Sequence, residues 1–357
     1  MRRKHPARAL AISALAILLS GCDADSGKNS GILHIDTDSR KITDINISQL
    51  ERVDLKAGSD TLLLYSINDI QPFGSGYLIE DRDRLTYYSS DGNLICQIGQ
   101  KGRGPGEYLR LASFYTKQDT ICIFCNNTKS IFQYTVKDNK SSFIRQQAIP
   151  DTLSISALIQ NSLYPDRYFA FNTYHGFGGT VPCVTVYDSN FAPIASSSAC
   201  IKDGGMGWSS PFGSNSSGVL FTDFFSYTVT ELDSGVVDES RKLDFGKNNV
   251  PENYLNYTDA TDMMAFLKDS ANISLQFPSK MYKDNNTLYI SLRNSLIGTY
   301  DLKSGVSKVF RILDAEDNPV HFTAFNVCDG TLYIAAPEGD SNMENPPFYI
   351  LPTESLT

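Results

Sequence analysis

Short apolar runs recur along the chain, each bounded by polar turn residues. They are Gly76-Tyr77-Leu78-Ile79-Glu80-Asp81, Thr120-Ile121-Cys122-Ile123-Phe124, Arg167-Tyr168-Phe169-Ala170-Phe171, Gly218-Val219-Leu220-Phe221-Thr222, Thr287-Leu288-Tyr289-Ile290-Ser291 and Thr331-Leu332-Tyr333-Ile334-Ala335. Runs this short and this rich in aromatic and β-branched residues read as strands. Aligned on Tyr77, Ile121, Tyr168, Val219, Leu288 and Leu332, they recur at steps of 44, 47, 51, 69 and 44 residues. A second strand follows each run, usually ending in a polar pair such as Asp91-Gly92, Ser189-Asn190, Ser234-Gly235 or Ser304-Gly305. Such pairs tolerate the positive φ that a hairpin turn needs. A third strand often follows, as in Leu94 to Ile98 or Val306 to Ile312. A β unit of about 40–50 residues that cannot bury both of its faces alone is a propeller blade. Six copies predict an all-β chain, a six-bladed propeller of four-stranded antiparallel blades.

The step of 69 carries extra chain, with Pro251 to Leu255 and then Asp259 to Lys268. Met263, Met264, Phe266 and Leu267 are spaced for one or two helical turns, which predicts a short helical insert between blades four and five. The last repeat, from His321 to Pro352, has material for three strands. Alternating Ile45, Ile47, Leu50 and Val53 in residues 42–55 predict the missing outer strand. That strand would join the two ends of the chain and remove an exposed edge. Two unrelated β domains are the alternative, but no linker separates them, so residues 42–357 are read as one propeller.

Residues 1–21 have the pattern of an export signal. Arg2, Arg3, Lys4 and Arg8 flank an apolar stretch, Ala9 to Leu19, that is too short to span a bilayer. It ends Leu19-Ser20-Gly21-Cys22. This ending resembles the lipobox of bacterial lipoproteins, which implies cleavage before Cys22 and acylation of that cysteine by diacylglycerol and a palmitate-type chain. Several acyl chains on one residue exceed the two-signal threshold for stable anchoring. The expected location is the cell envelope, anchored to the inner or outer membrane, with the domain in the periplasm or at the cell surface. Residues 22–41 begin polar and small, and read as a flexible tether.

With 357 residues, 41% hydrophobic and 20% charged, the composition is that of a folded globular chain. Lys plus Arg is 31 against 40 Asp plus Glu, a net charge of −9, which speaks against a nucleic-acid partner. Past Cys22 stand Cys96, Cys122, Cys125, Cys183, Cys200 and Cys328. Cys122 and Cys125, three apart on a strand, point to opposite faces and suit neither a redox motif nor a zinc knuckle. They read as buried free thiols, and Cys183 with Cys200 is the one pair considered for a bridge. His34, His175 and His321 are too few for a multi-histidine zinc site, so neither metal nor other cofactor is expected. A serine nucleophile lacks the Gly-x-Ser-x-Gly elbow, and no catalytic residue is assigned.

The sharpest motif is Gly99 to Tyr108, GQKGRGPGEY. It lacks the Gly-Lys-Ser/Thr of a P-loop and the spacing of a dinucleotide fingerprint. Its glycines let the chain cross from one blade's outer strand to the next blade's inner strand, with Tyr108 packed between blades. Together, Gly76 to Tyr108 resemble the NHL repeat: strand, Asp, strand, Asp-Gly turn, strand, then Gly-x-x-Gly-x-Gly-Pro-Gly-Glu-aromatic. With the lipobox, the chain is similar to the six-bladed propeller lipoproteins of Gram-negative bacteria. The later blades keep only the pattern. The resemblance implies an exported binding scaffold and carries no agreed catalytic residues. Some propellers of this shape are calcium-dependent lactonases, for which Asp69, Asp223 and Asn326 are the corresponding candidate ligands; turn and surface roles are the plainer reading.

The elaborated links should lie on one face beside the channel mouth, where loops on a rigid scaffold carry function. Arg103, Glu107, Trp208 and Tyr254 are the candidate contacts there, with His175 in a Gly-rich loop. The expected function is a membrane-anchored, monomeric scaffold for an envelope protein or glycan. The alternative is a hydrolase or lyase at the channel mouth.

Overall fold

The computed structural model describes residues 31–56, 63–172, 184–197, 211–223, 227–232, 237, 239–251, 265, 268–269, 276, 278–293, 295–336 and 345–356. Six antiparallel blades follow one another. Blade 1 is Asp69–Phe73, Gly76–Asp81, Arg84–Ser89 and Leu94–Gln97, and blade 2 is Ser113–Lys117, Thr120–Cys125, Ser130–Lys137 and Lys140–Ala148. Blade 3 is Ala157–Asn161, Tyr164–Phe171, Val184–Asp188 and Pro193–Ser196, and blade 4 is Phe212–Asn215, Gly218–Asp223, Thr228–Leu232 and Glu239–Asp244. Blade 5 is Pro278–Asp284, Thr287–Leu292, Leu296–Asp301 and Ser307–Leu313. Blade 6 takes three strands from the C-terminal end of the chain, Ala324–Cys328, Thr331–Ala335 and Phe348–Pro352. The first strand of each blade is innermost.

The N-terminal segment reinforces this ring on its outside. Strand β1 (Ile32–His34) pairs in parallel with the outer strand of blade 4, with Ile32 opposite Lys242. Strand β2 (Thr43–Asn46) pairs in parallel with the outer strand of blade 5, Thr43 opposite Phe310. Strand β3 (Glu51–Val53) completes blade 6, antiparallel to Phe348–Pro352. Closure between the chain ends is therefore real, but the single strand expected over 42–55 is two strands, and β3 alone closes the ring. The reason is local. Asn46 Oδ1 accepts from Ser48 N at 2.9 Å and caps a 3-10 turn over Ile47–Gln49, which breaks the extended run. The tether expected over 22–41 also gives way to structure at its end. Leu33 and Ile35 are buried in β1 and just beyond it, and His34 Nδ1 lies 2.8 Å from Asp244 Oδ2.

The core lies between neighbouring blades. Leu78, Leu85, Tyr108, Phe114, Ile121 and Phe132 fill the space between blades 1 and 2. Cys125 packs in that cluster, whereas Cys122 packs on the blade 3 side, so the two thiols do face opposite ways. Both are free, and burial pushes Cys122 up to about 11. Val53 and Leu55 join Ile70, Ile79 and Phe348 between blades 6 and 1. The blades approach closely: a Cβ at Gly213 would meet Met281 O at 1.6 Å, so only glycine fits there. Most of the link carrying the helical insert lies outside the described residues, as do Cys183 and Cys200. Among the described residues, no helix is long and apolar enough to cross a membrane.

Candidate functional site

The two faces of the ring differ. The turns from each inner strand to the second strand are residues 74–75, 118–119, 162–163, 216–217, 285–286 and 329–330, all two residues long. Because antiparallel strands alternate in direction, these six turns share one face. The opposite face receives the outer-to-inner links and the second-to-third links. It takes every link longer than ten residues: 54–68, 98–112, 172–183, 197–211, 245–277 and 336–347. These are hereafter the short-turn and long-loop faces.

Side chains tie the inner strands together near the short-turn face. Asn161 Nδ2 donates to Ser214 Oγ and Asn215 O, both at 2.8 Å. Asn215 Nδ2 donates to Lys283 O at 2.9 Å and to Val327 O at 2.8 Å, so one side chain of blade 4 joins blades 5 and 6. Asp284 Oδ2 accepts from Gly330 N at 2.9 Å.

Toward the long-loop face the channel holds charge. Lys280 of blade 5 is 8% exposed, and its Nζ lies 2.8 Å from Asp69 Oδ2 of blade 1, reaching across blade 6. Burial works against the Lys280 ammonium, but Asp69 and the Tyr282 hydroxyl outweigh it and hold its pKa above the ordinary lysine value. Asp69 Oδ1 accepts from Ile70 N at 2.9 Å, so both of its oxygens are occupied. Glu80 stands directly opposite Asp69 in the strand pairing. Its side chain keeps some solvent contact, yet dense surroundings and then the Asp69 charge push its carboxyl up to about 8. Glu80 is thus protonated at neutral pH. Asn326 of blade 6 donates Nδ2 to Ile70 O at 2.5 Å, while its buried Oδ1 has no partner.

This arrangement changes the reading of the calcium candidates. The ammonium of Lys280 sits where a cation facing Asp69 would have to bind, and Asn326 is engaged between blades. Asp223 closes its strand, with no side-chain geometry described. Among the described residues no cluster of His, Cys, Asp and Glu is placed to hold a metal.

The Gly99–Tyr108 motif forms a compact loop joining blades 1 and 2. Gln100 and Lys101 pair in parallel with Glu107 and Tyr108, and Gly102 N donates to Tyr108 O at 3.0 Å. Glu107 Oε2 accepts from Gly104 N at 2.7 Å, so this carboxylate serves its own loop. Gly106 has φ +74°, a Cβ there would meet Phe143, and its carbonyl accepts from Tyr134 Oη at 2.9 Å. Tyr108 is fully buried between the blades, as its position in the motif implies. Arg103 is exposed on the long-loop face. Trp208, Tyr254, His175 and Cys22 lie outside the described residues.

The fold brings forward two residues that the sequence reading passed over. Tyr65 is 58% exposed on the link into blade 1, and the Arg82 guanidinium lies 4.9 Å from its ring centroid. Arg82 sits at φ +55° in a two-residue turn, a conformation unusual for a residue with a side chain. Beside it, Asp83 Oδ2 holds Lys101 Nζ at 2.8 Å and ties the turn to the Gly99–Tyr108 loop. No single motif signals this group, because it draws on three separate links.

The fold recurs in solved structures. A protein of Bacteroides fragilis NCTC 9343, named for its inferred export, superposes with a TM-score of 0.67 at 16% identity, covering 90% of this chain and 99% of that one. The extracellular domain of a protein assigned as a hybrid two-component system in B. thetaiotaomicron gives a TM-score of 0.47 at 11% identity, covering 84% of this chain and 36% of that one. A luciferin-regenerating enzyme gives 0.48 at 10% identity, covering 84% and 95%. No curated protein matches the chain. Residues 34–344, from the end of β1 into blade 6, match the domain of unknown function DUF4934, and the chain belongs to that family.

Proposed function

We propose that this protein is an exported, lipid-anchored scaffold that binds an envelope protein or glycan through its long-loop face. The observation that carries the reading is the asymmetry of the links: six two-residue turns on one face, and every link longer than six residues on the other. Crossings from an outer strand to the next inner strand must span a blade and are long in any propeller, but residues 172–183 and 336–347 join neighbouring strands that two residues could join, as at 82–83, and this surplus length falls on the same face. The lipobox at Cys22 supplies the anchor, and the NHL-like first blade and the name of the B. fragilis neighbour agree with export. The test has two arms. Cys22→Ser should abolish fatty-acid labelling and release the protein from membranes; labelled lipid on that variant would refute anchoring. The lipidated wild type, pulled down from its own membranes, should retain a partner that Arg103→Ala retains at least fivefold less well; equal retention would move the interface elsewhere.

One observation favours a second reading, a hydrolase or lyase at the channel mouth. Glu80 is a carboxylic acid kept protonated at neutral pH, with no hydrogen-bond partner among the described residues, which suits a proton donor. Asp69, with both oxygens occupied, is not free to act as its base. Turnover of an envelope substrate that Glu80→Gln abolishes without loss of binding would support this reading over the scaffold.

A further inference from the structure

The described arginines fall into three sets. Arg40, Arg52, Arg84, Arg167, Arg241 and Arg311 each hold a carboxylate. Arg145 Nε donates to Gln133 at 2.9 Å, and Arg293 is half-buried near Tyr227. Arg82, Arg103 and Arg110 are exposed and have no ion-pair partner among the described residues. In a chain with 40 acidic against 31 basic residues, unpaired guanidinium groups should be rare. All three lie on the long-loop face, on the turn 82–83 and the link 98–112. The Lys101–Asp83 ion pair fastens those two segments together, and Tyr65 lies against Arg82 at the corner they form.

We infer that this corner, formed by Tyr65, Arg82 and Arg103, binds an acidic saccharide. The inference rests on the scaffold reading for the face and adds the class of ligand. Unpaired guanidinium groups present planar donor forks to a carboxylate, sulfate or phosphate oxygen pair. The exposed tyrosine ring offers a platform for the apolar face of a sugar. A protein partner fits less well. Protein interfaces centre on a buried apolar patch; of the other exposed large apolar residues only Phe143 lies against this loop, at Gly106, while Ile32, Ile144, Leu163, Ile194 and Val306 lie on other links and strands, so no such patch forms here.

Calorimetric titration of the intact protein tests this with four hexameric probes: an oligogalacturonate, a sulfated heparin fragment, an uncharged cello-oligosaccharide and an oligoglutamate. At least one acidic saccharide should bind at low salt and weaken severalfold at 0.3 M salt, about as expected for released counterions. The Arg82→Ala/Arg103→Ala double variant should lose at least tenfold in affinity and Tyr65→Ala at least threefold, with unchanged circular dichroism. Arg311→Ala, whose partner is Asp44 on the rim, should bind as wild type. Binding of neither acidic saccharide above the neutral one, or an unaffected double variant, overturns the inference. Oligoglutamate binding as tightly as the saccharides, indifferent to Tyr65→Ala, overturns the saccharide assignment in favour of an acidic polypeptide. If the membrane pull-down still captures a partner in any of those cases, the face reading stands and only the ligand class falls.

Discussion

Glu80 faces Asp69 in the strand pairing and shares the channel mouth with Lys280, so its ionisation is coupled to the stability of the ring. In the folded protein its carboxyl titrates near 8, against 4.5 for an ordinary glutamate. A group with a raised folded pKa contributes stability that is fully present below about 4.5 and is lost as pH rises through about 8. Glu80→Gln mimics the protonated form and removes this dependence. The melting temperature of that variant should match wild type at pH 5 and exceed it by a few degrees at pH 9; parallel profiles would show that the carboxyl is not perturbed. Lys280 offers a sharper perturbation. Lys280→Met removes one partner of a buried pair and leaves Asp69 uncompensated, which should cost about 3 kcal/mol in urea unfolding. Adding Asp69→Asn should recover part of that loss, because the stranded charge goes with it. No sequence pattern pointed to this pair. The two residues stand 211 positions apart, and only ring closure sets them on opposite sides of blade 6.

Strands differ in how plainly they read. The second strand of every blade is buried on both faces and stands out as a continuous apolar run, so the repeat was visible from composition alone. The N-terminal strands are three or four residues long and lie on the rim, where one side chain in two is exposed. Ile32-Leu33-His34-Ile35 does alternate, but the polar segment before it reads as tether, and the 3-10 turn after Asn46 interrupts the next alternation. Their energetic roles should differ accordingly. β1 and β2 are fifth strands on blades already complete, whereas β3 is the fourth strand of blade 6. Removing residues 31–37 should lower the melting temperature by only a few degrees. Removing residues 31–53 should expose the apolar edge of blade 6, with Val53 and its packing against Phe348 lost, and prevent recovery of soluble protein. Equal melting temperatures for the two truncations would mean that β3 does not close the ring.

Side-chain hydrogen bonds between inner strands run around the whole ring. Gln71 Nε2 donates to Thr116 Oγ1 at 2.9 Å between blades 1 and 2, and Ser113 Oγ to Leu158 O at 2.7 Å between blades 2 and 3. Asn161 joins blades 3 and 4, Asn215 joins blade 4 to blades 5 and 6, Asp284 joins 5 to 6, and Asn326 joins 6 to 1. The sequence named Asn326 among possible ligands, because a polar residue in an inner strand suggests a site; its role here is to connect blades. Neighbouring blades also share each apolar cluster, so no blade owns a core that would survive alone. A ring linked this way should unfold as one unit despite its repeats. Calorimetric and van't Hoff enthalpies should agree within about 10%, the mark of a two-state transition. Asn215→Ala, which cuts the link from blade 4 to blades 5 and 6, strands two carbonyls in the channel and should cost about 1–3 kcal/mol. It should do so without splitting the transition, because blade 4 still shares Leu220 and Val229 with the blade 5 cluster. Two resolved transitions in that variant, one assignable by hydrogen exchange to blades 1–4, would show instead that the polar ring, and not the shared apolar clusters, makes the propeller cooperative.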